Sequence, residues 1–181
     1  MEEIFDIYTR EWKHLGTKEK SICHGENPGF YHKPAWTRII NSENETLVQK
    51  RASCKKNNPN KWDMPSAGHV VAWETTIDGA IRETYEELGV ETKENDYKFI
   101  WEYICDPAWE IAQVFLLKLD LDIDEFKLQK EEVAEVKWLN YDEFKKLFYS
   151  EDFIESDEEY KEMILNMLKD NFNEQPNKNN L

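Results

Sequence analysis

The sequence predicts one domain of the α/β (α+β) class, and three observations lead to this prediction. The chain has 181 residues, 40% of them are hydrophobic, and stretches with strand periodicity alternate with two or three helical stretches. Domains most often contain about 100–150 residues, and strands mixed with helices form layers around a shared core. We therefore expect a single domain over residues 1–170 and a flexible tail over the Asn-rich residues 171–181.

The individual elements follow from local periodicity and composition. Alternating apolar and acidic residues predict a strand at 4–8, and a polar turn at 41–44 joins the strands of a hairpin at 36–40 and 46–51. Aromatic and β-branched composition predicts further strands at 97–104, 111–119 and 133–139. Helical spacing of apolar residues predicts helices at 75–88, 140–148 and 157–168.

The chain is strongly acidic, and this excludes some classes of partner. It carries 38 Asp and Glu against 23 Lys and Arg, which gives a formal charge of -15. Nucleic-acid backbones are bound mainly by Lys and Arg, and an anionic membrane surface repels an acidic protein. We therefore expect neither general nucleic-acid binding nor membrane binding.

The cysteines and the N-terminus indicate the compartment. Cys23, Cys54 and Cys105 are odd in number and lack short metal-ligand spacing, so neither a disulfide framework nor a zinc knuckle is predicted. The acidic start at residues 1–3 is unlike a signal peptide. No apolar run reaches the roughly 20 residues that span a bilayer, so a cytoplasmic location is expected.

Three glutamates on the predicted helix at 75–88 are the most informative residues. Glu83 and Glu87 are one turn apart and Glu86 stands beside them, so the three carboxylates share one face. Like charges at this spacing repel unless a cation lies between them, and Mg²⁺ prefers oxygen ligands of this kind. Helical acids alone usually form only a solvated face, so the residues around them decide the interpretation.

The surrounding spacing resembles the Nudix box, Gly-x5-Glu-x7-Arg-Glu-U-x-Glu-Glu-x-Gly-U, where U is a bulky aliphatic residue. Every invariant position is present, namely Gly68, Glu74, Arg82, Glu83, Glu86, Glu87 and Gly89. Two positions depart from the pattern. Thr84 occupies the first aliphatic position, where its methyl group can pack and its hydroxyl can bond back to the helix. Trp73 stands where many family members have glycine.

The resemblance implies an α/β/α sandwich with a mixed β-sheet and a catalytic loop-helix-loop. It also implies Mg²⁺- or Mn²⁺-dependent hydrolysis of a pyrophosphate linkage. The metal ligands would be the carboxylates of Glu83, Glu86 and Glu87 and the carbonyl of Gly68. Arg82 and Glu74 would orient and brace the helix, and Gly89 would end it. The general base would come from outside the box, and the candidates are Glu110, Glu131 and Glu132.

Beyond the box, the chain resembles the isopentenyl-diphosphate-isomerase-like branch of this family. The similarity extends over residues 3–139 and is carried by segments at 4–6, 49–52, 58–59, 61–63 and 66–69, and by His32. The isomerases have a catalytic Cys immediately before the Gly-His pair, and Ala67 stands there in this chain. Hydrolysis is therefore favoured over isomerisation.

Two alternatives to hydrolysis stay open. His69, His32 and Glu110 fall near positions where the isomerases hold a metal, so an isomerase-like activity is one alternative. A loop histidine that bonds to nearby backbone is the favoured interpretation of His69. The other alternative is a non-catalytic ligand-binding module, although such modules usually lose box carboxylates.

The segment 49–61 carries five bases and no acids. Arg51 and Lys50 are candidates to hold substrate phosphates, and Trp109 is a candidate to stack on a planar group. The expected partner is a small-molecule diphosphate, bound by a monomer or a homodimer.

Overall fold

The computed structural model describes residues 2–173. The chain divides into two compact units, Met1–Arg38 with Ser66–Leu117, and Ile39–Pro65 with Lys118–Leu181. The single domain over residues 1–170 stays a prediction.

The structure contains nine strands and four α-helices among the described residues. In chain order they are β1 (Ile4–Tyr8), β2 (His14–Glu19), α1 (Lys20–Cys23), β3 (Pro34–Ile40), β4 (Glu45–Arg51), β5 (Trp62–Asp63), β6 (Ser66–His69), α2 (Thr76–Leu88), β7 (Tyr97–Cys105), β8 (Glu110–Lys118), β9 (Val133–Asn140), α3 (Tyr141–Phe148) and α4 (Glu158–Asn173). The predicted strands and helices are all present, and their ends shift by at most two residues, apart from the C-terminal end of α4.

The first unit is built on a mixed sheet in the order β6-β3-β8-β7. β6 runs antiparallel to β3, and β7 runs antiparallel to β8. β3 and β8 are parallel neighbours, because a parallel bridge joins His32 to Glu110. The α/β class with a mixed sheet is therefore confirmed.

Helix α2 packs on this sheet through small and apolar residues. Ala80 lies in a buried cluster with Ala35, Val70 and Phe115. The helix begins after Thr75, whose side chain accepts a hydrogen bond from the backbone amide of Asp78. It ends at Gly89, which adopts a left-handed conformation with φ 70°. These ends fix which residues of the helix face the sheet.

The N-terminal segment of the first unit forms a separate two-stranded antiparallel sheet, β1-β2. Phe5 and Ile7 of β1 are buried together with Cys23 of α1. In β2, by contrast, every residue but Gly16 is exposed. Helix α1 follows β2 directly and packs on this small sheet through Cys23.

The second unit is built around β4, which pairs antiparallel with both β5 and β9. Its core contains an aromatic cluster in which Phe148 contacts Phe144, Phe153 and Tyr160. Among residues 2–173, no helix has the length and apolar composition needed to cross a membrane.

Helix α4 continues further than the sequence predicts. It runs to Asn173, and Asn171 is 6% exposed and donates from its side chain to the carbonyl of Met167. The flexible tail predicted from residue 171 is therefore wrong for 171–173. The rest of that tail, 174–181, lies outside the described residues.

Candidate metal centres

The carboxylates of Glu83, Glu86 and Glu87 lie on α2 beside β6, and we call them, with Gly68, the carboxylate centre. The side chain of Glu83 is 16% exposed and that of Glu86 is 49% exposed, whereas Glu87 is buried. The centre is thus open to solvent on the side of Glu86 and closed on the side of Glu87.

The backbone of strand β6 lies against two of these carboxylates. A Cβ atom built on Gly68 would lie 1.9 Å from Cδ of Glu83 and 2.2 and 2.3 Å from its oxygens. Only glycine therefore leaves room for the carboxylate at this position. The neighbouring amide of Ala67 donates to Oε2 of Glu87 at 3.2 Å. The structure therefore brings Gly68, Glu83 and Glu87 together as the sequence predicts.

Arg82 braces the centre from within the same helix. Its Nε and Nη2 donate to the two carboxylate oxygens of Glu74, each at 3.0 Å. Its Nη1 donates to Glu83 at 2.6 Å and to Glu86 at 3.1 Å. Nη2 also donates to the carbonyl of His69 at 2.9 Å. Arg82 and Glu74 therefore have the bracing geometry that the resemblance implies.

The electrostatics of this centre favour an added cation. Burial raises the pKa of Glu83 above its ordinary value, even though Arg82 acts in the opposite direction. The arginine is shared among three carboxylates, so the local charge is negative. Carboxylate oxygens in this number are ligands that Mg²⁺ and Mn²⁺ prefer. The residues present therefore fit a hard divalent ion.

The two departures from the box pattern have different consequences. Trp73 adopts φ 69°, a left-handed conformation in which glycine is at ease, and it is 82% exposed. Its amide donates to Oδ2 of Asp6 at 2.9 Å. Thr84 is fully buried as expected, but its hydroxyl makes no hydrogen bond to the helix backbone, so the predicted back-bond is wrong.

A second group of convergent side chains lies in the same unit, and we call it the histidine centre. It consists of His24, His32, His69 and Glu110, whose ligand atoms all lie within 4.8 Å of one another. Nε2 of His24 is 3.1 Å from Nε2 of His32 and 3.1 Å from Nε2 of His69. Oε1 of Glu110 is 3.3 Å from Nε2 of His69 and 3.7 Å from Nε2 of His32.

These spacings fit a metal ion better than they fit hydrogen bonds alone. Ligands at about 2.0–2.1 Å from a tetrahedral ion lie about 3.3 Å from one another. A neutral imidazole has one donor and one acceptor nitrogen, so three Nε2 atoms that face one another are poorly satisfied without a cation. Imidazole and carboxylate ligands suit Zn²⁺ and neighbouring transition metals. The interpretation of His69 as a histidine bonded to backbone is therefore wrong, since its ring faces His24 and Glu110.

The protonation states of the centre also suit a metal, because metal-binding histidines must be neutral. Burial lowers the pKa of His32 to about 4. Burial, followed by the effect of His69, lowers the pKa of His24. Burial acts to raise the pKa of Glu110, but His69, His32 and His24 outweigh it and hold that pKa below its ordinary value.

One member of the histidine centre, His24, is not predicted from the sequence. His24 follows α1 directly, eight residues before His32, and it belongs to no motif. Its approach to His69 spans 45 residues of chain and depends on the β1-β2 sheet and α1. The one signal in the sequence is that His24 lies eight residues before His32, which the resemblance already places near a metal.

The candidate substrate residues fall in different places. Trp109 immediately precedes Glu110, and its ring centroid lies 5.3 Å from that of Tyr31. The remaining candidates lie in the second unit. Arg51 pairs with Asp63 at 3.2 Å, and Nζ of Lys50 lies 5.8 Å from the centroid of the Trp62 ring.

The general-base candidates Glu131 and Glu132 also lie in the second unit. Glu132 pairs with Lys55, and the carbonyl of Glu131 faces the thiol of Cys54. Neither glutamate belongs to the unit that carries the two centres.

Known proteins share this sequence pattern and this fold. The NUDIX domain model matches residues 31–159. Nudix hydrolase 3 of Arabidopsis thaliana is 31% identical over an alignment of 163 residues, and the alignment covers 83% of this chain and 21% of that protein. The chain therefore spans about a fifth of that relative. An isopentenyl-diphosphate delta-isomerase of Gibberella zeae is 25% identical over an alignment of 173 residues, and the alignment covers 82% of this chain and 67% of that protein.

A solved structure gives the corresponding result for the fold. The DR0079 protein of Deinococcus radiodurans superposes with a TM-score of 0.70 at 16% identity, over 93% of this chain and 98% of that one. Residues 31–159, which match the NUDIX domain model, include α2 and the whole carboxylate centre. Together with the intact box, these similarities make the chain a member of the Nudix family of hydrolases, with relatives among the isopentenyl-diphosphate isomerases.

Proposed function

We propose that the chain hydrolyses the pyrophosphate linkage of a small nucleoside-diphosphate-like or other diphosphate substrate with Mg²⁺, or with Mn²⁺ in its place. The observation that carries this proposal is the packing of the Glu83 carboxylate into the space above Gly68, beside Glu86 and Glu87. That geometry supports ion binding by the three carboxylates and the carbonyl of Gly68. An ion held there would neutralise phosphate oxygens and lower the pKa of a water molecule.

The protein's own residues hold this arrangement in place. Arg82 fixes the rotamers of Glu83 and Glu86 and is itself held by both oxygens of Glu74. The Ala67 amide fixes one oxygen of Glu87. Preorganised ligands of this kind lower the barrier because they need not reorganise during the reaction.

Glu110 is better assigned to the histidine centre than to proton abstraction. A general base works best when its pKa lies near the working pH, whereas the three histidines hold the pKa of Glu110 below its ordinary value. In this proposal Glu110 is a ligand, together with His24, His32 and His69, of a transition-metal ion that stabilises the loop around Trp109. Trp109 offers its ring to a planar part of the substrate, and Arg51 and Lys50 stay candidates for phosphate contacts.

A second candidate activity is isomerase-like chemistry on a short isoprenoid diphosphate. The convergence of His32, His69 and Glu110 supports it, because these residues fall near the positions where the isomerases, which the chain resembles, hold a metal. Ala67 weighs against it, since an alanine side chain offers no proton. A non-catalytic binding module is less favoured because all box carboxylates are retained.

The test is a panel of diphosphates incubated with the full chain and Mg²⁺, with product analysis for both hydrolysis and isopentenyl-to-dimethylallyl conversion. Hydrolysis of at least one compound is expected, with a loss of about 10²-fold or more in Glu87→Gln, because one misplaced ligand costs that much. Glu91→Gln is the matched control, since Glu91 is exposed and lies just beyond the end of α2.

Each outcome decides between the candidates. Hydrolysis that survives in Glu87→Gln contradicts the proposed role of the carboxylate centre. Isoprenoid conversion without hydrolysis supports the second candidate. Tight binding of one compound without turnover of any supports the binding module.

A further inference from the structure

The turn that leads into Glu110 is held by a side chain that touches neither proposed metal site. Residues Asp106–Ala108 form a single helical turn, and the amide of Trp109 donates to the carbonyl of Asp106 at 3.2 Å. Trp109 then adopts φ 55°, a conformation that a bulky residue rarely takes. Something must compensate for the cost of that backbone conformation.

Backbone hydrogen bonds hold the far end of this turn against His32. The amide of His32 donates to the carbonyl of Trp109 at 3.1 Å, and the amide of Ile111 donates to the carbonyl of His32 at 3.0 Å. Glu110 therefore stands directly opposite His32. The direction of the Glu110 side chain therefore depends on the backbone conformation of the turn at Asp106–Ala108, which leads into the pairing of Glu110 with His32.

The carboxylate of Asp106 holds the near end of the turn against the residue before His32. Tyr31 is 8% exposed, and its hydroxyl donates to Oδ1 of Asp106 at 2.6 Å. Arg10 donates to the same carboxylate at 3.1 and 3.2 Å. The hydrogen bond raises the pKa of Tyr31, and Arg10 and Tyr31 lower that of Asp106.

The two contacts differ in weight. Arg10 and Asp106 have side chains 55% and 56% exposed, and exposed ion pairs contribute little. The hydroxyl of Tyr31 belongs to a buried ring that also packs on Trp109, so its bond to Asp106 restricts both ends of the turn. The contact that matters is therefore that between Tyr31 and Asp106.

We propose that Asp106, through Tyr31, is a positioning residue that aims Glu110 at His69 in the histidine centre. This inference rests on the histidine centre of the proposed function. Residues behind the ligands commonly change metal affinity by about 10–100-fold when they are replaced. Asp106 contacts no ligand directly and acts through Tyr31, so we expect its replacement to change metal affinity by about tenfold, the lower end of that range.

The test is titration of the full chain with Co²⁺, whose visible absorption reports ligand number and geometry. Asp106→Ala and Tyr31→Phe are each expected to weaken Co²⁺ binding about tenfold and to shift the absorption band. The double variant should be no weaker than either single one, because both remove the same contact. Asp106→Asn keeps an oxygen acceptor for Tyr31 and should recover part of the affinity.

Arg10→Gln is the matched control, and its Co²⁺ affinity should stay within about twofold of the wild type because the lost pair is exposed. Thermal unfolding without metal separates a loss of fold from a loss of position. If Asp106→Ala binds Co²⁺ like the wild type, or if the two single effects add in the double variant, the positioning role is wrong. If the wild type itself binds no Co²⁺, or if His24→Ala leaves binding unchanged, the histidine centre fails first.

Discussion

Replacement of Gly68 by alanine tests the carboxylate centre without touching a carboxylate. The new methyl group would lie 1.9 Å from Cδ of Glu83, whereas ordinary contacts begin at 3.4 Å. The carboxylate must therefore move by about 1.5 Å. Gly68 is not among the residues with positive φ, so alanine fits its backbone.

The size of the effect follows from that displacement. A misplacement of about 1 Å at a reacting centre costs about 10²-fold in rate, which is about 2.7 kcal/mol of transition-state stabilisation. We expect Gly68→Ala to lower kcat/KM by at least about 10²-fold and to weaken Mn²⁺ binding measured by electron paramagnetic resonance. The free energy of unfolding should fall by only about 1.5–3 kcal/mol, the contribution of one charged hydrogen bond between Arg82 and Glu83.

A double variant isolates the cause. In Glu83→Gln the ligand is already impaired, so adding Gly68→Ala should cost little further activity. Gly68→Ala activity and Mn²⁺ affinity within about fivefold of the wild type would refute the reasoning, because a shift of about 1 Å should cost far more. Fully additive losses would refute it as well, since the two changes would then act independently.

Three further predictions follow from other contacts. Arg82→Lys should lower the free energy of unfolding by about 2 kcal/mol, because lysine cannot reproduce the paired bonds to Glu74; an unchanged urea midpoint would contradict the bracing role. Trp73→Gly should raise the free energy of unfolding by about 0.5 kcal/mol, because relief of the left-handed φ exceeds the entropy cost of glycine. Destabilisation in the same urea assay would show that the exposed ring contributes contacts. Burial raises the pKa of Tyr97, so the unfolded chain ionises first and stability is lost as pH rises above about 10; Tyr97→Phe should lose less between about pH 9 and 11 than the wild type, and equal losses in denaturant titrations would count against this assignment.

The elements that sequence predicts best are those whose periodicity reports burial. α2 is an example, since Ala80, Thr84 and Leu88 recur at helical spacing and are buried. Strand β2 carries no such pattern because its residues are exposed and it is held by backbone pairing to β1. Hydrophobic periodicity does not predict a strand that is exposed on both faces.

The same distinction applies to the candidate sites. The carboxylate centre is local, since its helix residues and Gly68 stand at fixed spacings in one segment of sequence. The histidine centre is assembled from the end of α1, the chain before β3, β6 and the start of β8. No spacing rule links such positions, and only the paired strands bring them together. His24 is therefore identified by the structure and not by the sequence.

Strand β6 contacts both candidate metal centres, and this affects how the protein should be prepared. Its residues 67–69 contact the carboxylate centre through the Ala67 amide and the Gly68 backbone, and the histidine centre through the His69 ring. If both centres hold ions as proposed, a chelator would remove both ions, and Mg²⁺ added afterwards would refill only the carboxylate centre. We therefore expect the specific activity of a preparation to depend on its history of exposure to transition metals, and two batches identical in sequence and Mg²⁺ to differ in turnover.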